Sequence, residues 1–189
     1  YRWLNDKYRP QIEKALSAQG HVPGPLVFAI DNRDLSQGLS LWNASPRYSN
    51  GYGDARHLPT ILIENHSLKP FKQRVLGTYV MLASTLEVLG EQGTALRSAI
   101  KQDSYRYSDR ISLTLQSETQ PKGLDFKGID YRLEQSPISG ETVVRWTGEL
   151  KLYENLPVIG KTRADIKVNR PSAYYIPPQW QEVIERLSI

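Results

Sequence analysis

Apolar residues recur every four positions at Leu4, Tyr8, Ile12 and Leu16, and Gly20 follows as a stop, so the chain is expected to open on an amphipathic helix. Pro10 inside that pattern predicts a kink or a late start, because proline has no N–H to bond one turn back. Two short apolar runs come next. Leu26 to Ile30 is introduced by Pro23 and Pro25 and closed by Asp31-Asn32; Thr60 to Ile63 is introduced by Pro59 and closed by polar residues. Neither alternates with polar residues, as expected of strands covered on both faces. A long helix is predicted from Phe71 to about Gly90, with Val75, Tyr79, Leu82, Leu86 and Leu89 as its buried stripe. Thr94 is placed to cap a second helix reaching Tyr105.

From Arg110 the period changes to two. Ile111, Leu113 and Leu115 alternate with Ser112, Thr114 and Gln116. Phe126 to Leu133 and Thr142 to Leu152 predict two further strands joined by the turn Ser136-Pro137-Ile138-Ser139-Gly140, and Ala164 to Val168 predicts another. Pro177-Pro178 then precede an amphipathic stripe of Trp180, Val183, Ile184 and Leu187. The expected fold class is therefore α/β, part of a mixed and mostly parallel sheet with helices, followed by a small, mainly antiparallel β sheet or sandwich. The expected division is 1–105 for the α/β part and 106–189 for a β-rich accessory part ending in a helix. A chain that opens on Tyr1 without Met and closes on a helix reads as a piece of a larger protein.

Composition narrows the function classes. The 189 residues are 23% charged, close to an ordinary globular chain, and the net charge of +4 is spread out rather than gathered in a basic run. That speaks against a nucleic-acid partner. No apolar stretch approaches the ~18 residues of a membrane span. The absence of cysteine excludes disulfides, thiol catalysis and cysteine-held zinc.

Candidate chemistry is correspondingly sparse. The three histidines are His21, His57 and His66, and none has a glutamate three residues later, so the usual short zinc-binding pair is missing. There is no Gly-x-Ser-x-Gly elbow and no phosphate-binding Gly-x-x-x-x-Gly-Lys loop. Gly51-Tyr52-Gly53 follows no predicted strand and reads as a turn. Two features remain. Ile61-Leu62-Ile63 ends in Glu64, and ligands of open α/β sheets bind at the carboxyl ends of strands. Upstream, Arg47 to Arg56 forms a loop with Tyr48 and Tyr52, whose phenols, with the guanidinium of Arg47, suit an anionic group or a peptide terminus. The plain structural alternatives are a strand that simply ends in a polar residue and a solvated loop whose tyrosines cover the core edge.

Pro46-Arg47-Tyr48-Ser49-Asn50-Gly51-Tyr52, the strand to Glu64, and Asn65-His66-Ser67-Leu68-Lys69-Pro70-Phe71 together resemble the closing part of the catalytic domain of the zinc carboxypeptidase (carboxypeptidase A) family, in a bacterial branch. The likeness is good over residues 40–90, extends in outline over 1–100 and is weak beyond. Asn65 stands where that branch commonly has threonine. The resemblance implies a hydrolase that cleaves a peptide or amide bond near a free carboxylate, using zinc. Glu64 matches the family's general base, which takes a proton from zinc-bound water. Tyr48 or Tyr52 matches the tyrosine that contacts the substrate's terminal carboxylate, with Arg47 beside it. His66 matches no family zinc ligand, and residues 1–40 hold no match to the three ligands, so the zinc implied by the family has no ligands in this chain. The resemblance also implies a secreted or periplasmic setting. Two other readings stay open. One is a carbohydrate- or protein-binding β module with Tyr131, Trp146 and Tyr153 as an aromatic row. The other is an inactive homologue of the peptidase.

Overall fold

A computed structural model describes residues 2–188. A π-helical turn, Leu4–Tyr8, runs into helix α1, Arg9–Ala18. The wide turn has the Arg9 N–H reaching back to the Leu4 carbonyl. It makes room just where the Pro10 ring would crowd the preceding turn, which is how the predicted kink is accommodated. At the other end of α1, Gly20 adopts φ +76°. The His21 N–H bonds the Leu16 carbonyl at 3.0 Å and the Gly20 N–H bonds that of Ser17 at 3.1 Å, the paired closure of a Schellman motif.

Helix α2 is short, Ser49–Ala55, and α3 is long, Phe71–Ser104. The two helices expected between Phe71 and Tyr105 are one. Gly90 meets nothing within 4 Å, so the helix passes through it at a cost of about 1 kcal/mol rather than ending there. Thr94 accepts a hydrogen bond from Arg97 inside the helix instead of capping a new one. α1 packs on α3 through Tyr8, Ile12 and Val88, flanked by Trp3, Leu4, Leu16 and Met81. The Tyr8 and Thr85 hydroxyls, 2.7 Å apart, set the register of the pair.

The face of α3 that α1 covers is not the predicted one. Buried on α3 are Gly77, Ser84 and Val88, while Tyr79 and Leu86 are 69% and 71% exposed and Val75, Leu82 and Leu89 are also exposed. Gly77 is met by the His21 and Asn65 side chains, whereas the larger stripe one step around the helix stays largely exposed.

Strands come from both sides of residue 105. β1, Val27–Ala29, pairs antiparallel with β2, Leu39–Leu41; β2 pairs parallel with β7, Val158–Ala164; and β7 pairs antiparallel with β4, Leu115–Thr119. The sheet order is β1-β2-β7-β4. β3, Arg110–Ser112, pairs with β8, Lys167–Asn169. The longest strands, β5 (Leu124–Gln135) and β6 (Thr142–Leu156), make an antiparallel ribbon closed by the expected turn at Ser136 to Gly140. A last helix, α4, spans Gln181–Leu187.

The chain thus mixes helix and sheet, but β2–β7 is the single parallel pairing among the described strands, so the sheet is not mostly parallel. The apolar run at 26–30 does form β1, yet Phe28 is 53% exposed rather than covered on both faces. The run at 60–63 forms no strand at all. Ile61 and Leu62 are about two-fifths exposed, at 39% and 40%, and they take part in no strand pairing among the described residues. An apolar run becomes a strand only where another chain segment satisfies its N–H and C=O groups. The buried apolar residues of the main sheet are Leu39 and Val158, paired across β2 and β7, with Leu35 and Leu156 alongside in sequence.

Candidate functional site

Glu64 lies in the irregular segment between α2 and α3, not at the end of a strand. Its carboxylate is exposed, and among the described residues it accepts no hydrogen bond and pairs with no cation. The residues beside it are held. The Asn65 amide donates to Thr78 Oγ1 at 2.9 Å, and that hydroxyl donates in turn to the Arg74 carbonyl one turn back on α3. The backbone next to Glu64 is therefore tied to α3 while the carboxylate stays free. His66 Nδ1 accepts the Leu68 N–H at 3.2 Å, which turns the chain toward the start of α3.

His21 comes close by from the other side. A β-carbon built at Gly77 would lie 3.3 Å from His21 Nδ1 and 3.7 Å from Asn65 Oδ1, so both side chains meet α3 at the same glycine. His57 is elsewhere, with Nδ1 2.8 Å from Asp103 Oδ2. Among the described residues no group of three or more His, Asp or Glu side chains converges to hold a metal. The three histidines are in different settings: the His57 ring is engaged by a carboxylate, the His66 ring by the Leu68 N–H, and the His21 ring faces a helix glycine.

The upstream loop is more ordered than its composition suggested. Residues 49–55 are helical although two of the seven are glycine, a poor helix composition. Its support is tertiary. Gly51 and Gly53 are buried, and a β-carbon at Gly53 would collide with the Thr60 hydroxyl. The helix backbone thus presses directly on the segment that leads to Glu64. Tyr48 and Tyr52, four residues apart and both about half exposed, lie on one face of the helix start. The Tyr48 ring sits edge-on to Trp42, with centroids 5.1 Å apart, and the Arg47 guanidinium lies 5.9 Å from the centre of that ring. Arg47 and Tyr48 are thus brought together. No hydrogen bond, ion pair or ring contact among the described residues joins them to Glu64; the two groups are linked by backbone, through Gly53 and Thr60. A groove of about 490 Å³ between α1 and α3, lined by Ala15, His21, Leu76 and Tyr79 among others, includes none of Arg47, Tyr48, Tyr52 or Glu64.

Two features of this region escaped the sequence reading: the Asn65–Thr78 anchor and the His57–Asp103 pair. Once 49–55 is a helix, His57 occupies the position just past its end, where glycine is usual. No known protein family, curated protein or solved structure matches this chain.

The aromatic row of the β5–β6 ribbon is partly engaged. The Tyr131 hydroxyl donates to the Arg33 carbonyl and accepts the Leu35 N–H, both at 3.2 Å, and Trp146 packs edge-on against its ring. The Tyr153 hydroxyl donates to the Ile129 carbonyl at 3.0 Å, and burial raises its pKa above the ordinary phenol value. Beside it Lys151 donates to Asp130 at 2.8 Å, which lowers the carboxyl pKa and raises that of the ammonium. No helix is long and apolar enough to cross a membrane, among the described residues.

Proposed function

We propose that this chain carries the general base and the carboxylate-recognition segment of a zinc-carboxypeptidase-like hydrolase. Glu64 would take a proton from the water attacking a scissile carbonyl and return it to the departing nitrogen. Arg47 with Tyr48 or Tyr52 would hold the substrate's free carboxylate by charge-assisted hydrogen bonds. The observation that carries the reading is the contrast at Glu64: an exposed, unpaired carboxylate next to Asn65, whose side chain is fixed to α3. A base needs to be accessible and correctly placed, and side chains with only a structural role more often end in a partner.

Among the described residues no set of side chains fits a zinc ion, so no step is assigned to metal here, and on this reading the family's zinc is held by residues outside these 189. The exposed stripe Val75, Tyr79, Leu82, Leu86 and Leu89 is the surface against which such a remainder would pack. The binding-module reading draws less support, because the hydroxyls of Tyr131 and Tyr153 are spent on backbone groups. The test is Glu64→Gln in the active, zinc-loaded protein. It lowers kcat by ~10²–10⁴-fold, the scale of general acid–base catalysis, with fold and zinc content unchanged. Near-normal turnover overturns the assignment, and loss of zinc would make Glu64 a ligand instead.

A further inference from the structure

Helix α2 ends with the same two hydrogen bonds as α1. The Leu58 N–H reaches the Gly53 carbonyl at 2.8 Å and the His57 N–H reaches that of Asp54 at 3.1 Å. In α1 the residue that must adopt positive φ is Gly20; in α2 it is His57, at φ +57°. A residue with a β-carbon is strained there, and glycine or asparagine would fill the position more cheaply. What histidine adds is its ring. Nδ1 lies 2.8 Å from Asp103 Oδ2, in the last turn of α3, with the two side chains partly exposed, at 33% and 40%. A helix C-terminus disfavours a carboxylate, so Asp103 too sits where its own helix does not want it. Two locally unfavourable residues from separate elements meet in one hydrogen bond.

We propose that His57 and Asp103 form a clasp that positions α2, and with it Arg47, Tyr48 and Tyr52, against the end of α3. His57 is then a positioning residue for the carboxylate-binding face; the clasp stands on geometry alone, while its use in substrate capture rests on the function proposed above. The bond joins the residue just past the end of α2 to the last turn of α3.

The test measures amide hydrogen exchange of residues 52–58 in the full chain, alongside affinity for an N-acetylated dipeptide with a free C-terminal carboxylate and for its C-terminal amide. His57→Ala keeps the backbone strain and removes the donor. His57→Asn places an amide nitrogen where Nδ1 stood and tolerates positive φ. Exchange is expected to rise roughly two- to five-fold in His57→Ala and in Asp103→Ala, the scale of a partly exposed ion pair, with no further rise in the double variant. His57→Asn should restore protection to near that of the parent. Unchanged exchange in both alanine variants, or additive effects in the double variant, overturns the clasp. If exchange responds as expected while affinity for the free-carboxylate peptide does not change, the clasp stands and the assignment of Arg47, Tyr48 and Tyr52 to carboxylate capture fails.

Discussion

Helices α1 and α2 are fixed to α3 in opposite ways. α1 buries Tyr8 and Ile12 against Val88, adds one hydroxyl pair at Thr85, and finishes on a glycine that adopts its left-handed conformation freely. α2 buries no large side chain. Its buried residues are Gly51 and Gly53; it leans on Thr60 by direct backbone approach, and it finishes on a histidine whose ring bonds Asp103. The first arrangement is built from apolar burial and low-strain turns, the usual source of stability. The second spends local strain to place a polar segment that holds Tyr52, directly follows Arg47 and Tyr48, and precedes Glu64 in the chain. Strain that persists outside a packed core is a reason to look there for function.

The contrast can be broken at several points. Ile12→Ala should have the largest effect, because the side chain is 4% exposed in the main cluster. Loss of about 2–4 kcal/mol of global stability is expected from denaturant titration. A loss well under 1 kcal/mol would mean that the α1–α3 contact is not a cooperative core. Gly53→Ala should come next. Its methyl would meet the Thr60 hydroxyl, and overpacking of this kind costs about 1–3 kcal/mol. The signature is local: exchange should rise over residues 49–64 while α1 and α3 stay protected. If protection is lost evenly across the chain, α2 belongs to the core after all.

The smallest effects compare the two helix ends. Gly20→Ala should cost about 1 kcal/mol, since alanine is strained at φ +76°. His57→Gly relieves the same strain but removes the bond to Asp103. The two changes oppose each other, so global stability should stay within about 0.5 kcal/mol. A clear stabilisation by His57→Gly would show that the ring contributes nothing.

Much of the local structure could be read from the pattern of residues. An irregularity near Pro10 in the opening helix, the end of α1 at Gly20, and the β5–β6 ribbon around Ser136 to Gly140 were all signalled locally. These features depend on groups close in sequence. The failures depend on distant partners. Ile61 to Ile63 has the composition of a strand but takes part in no strand pairing among the described residues. The stripe on α3 marks the most apolar face, whereas the opening helix packs on the face that carries Met81 and Val88. The pairing of Leu39 with Val158 joins segments on either side of residue 105, which no change of period could reveal. Of the candidate site, the residue types were legible and the support was not. Asn65 and His57 reveal their roles only once Thr78 and Asp103 are known to stand opposite them.

The central claim is that the free carboxylate at position 64 acts as the base. Glu64→Ala in the active, zinc-loaded protein, assayed with added formate, tests it most directly. A small acid that enters the vacated space can supply the missing carboxylate. The account predicts kcat reduced by ~10²–10⁴-fold without formate and recovering in proportion to formate concentration, while the parent enzyme is not accelerated. Undiminished turnover in Glu64→Ala, or a loss that formate does not restore at any concentration the fold tolerates, would contradict it.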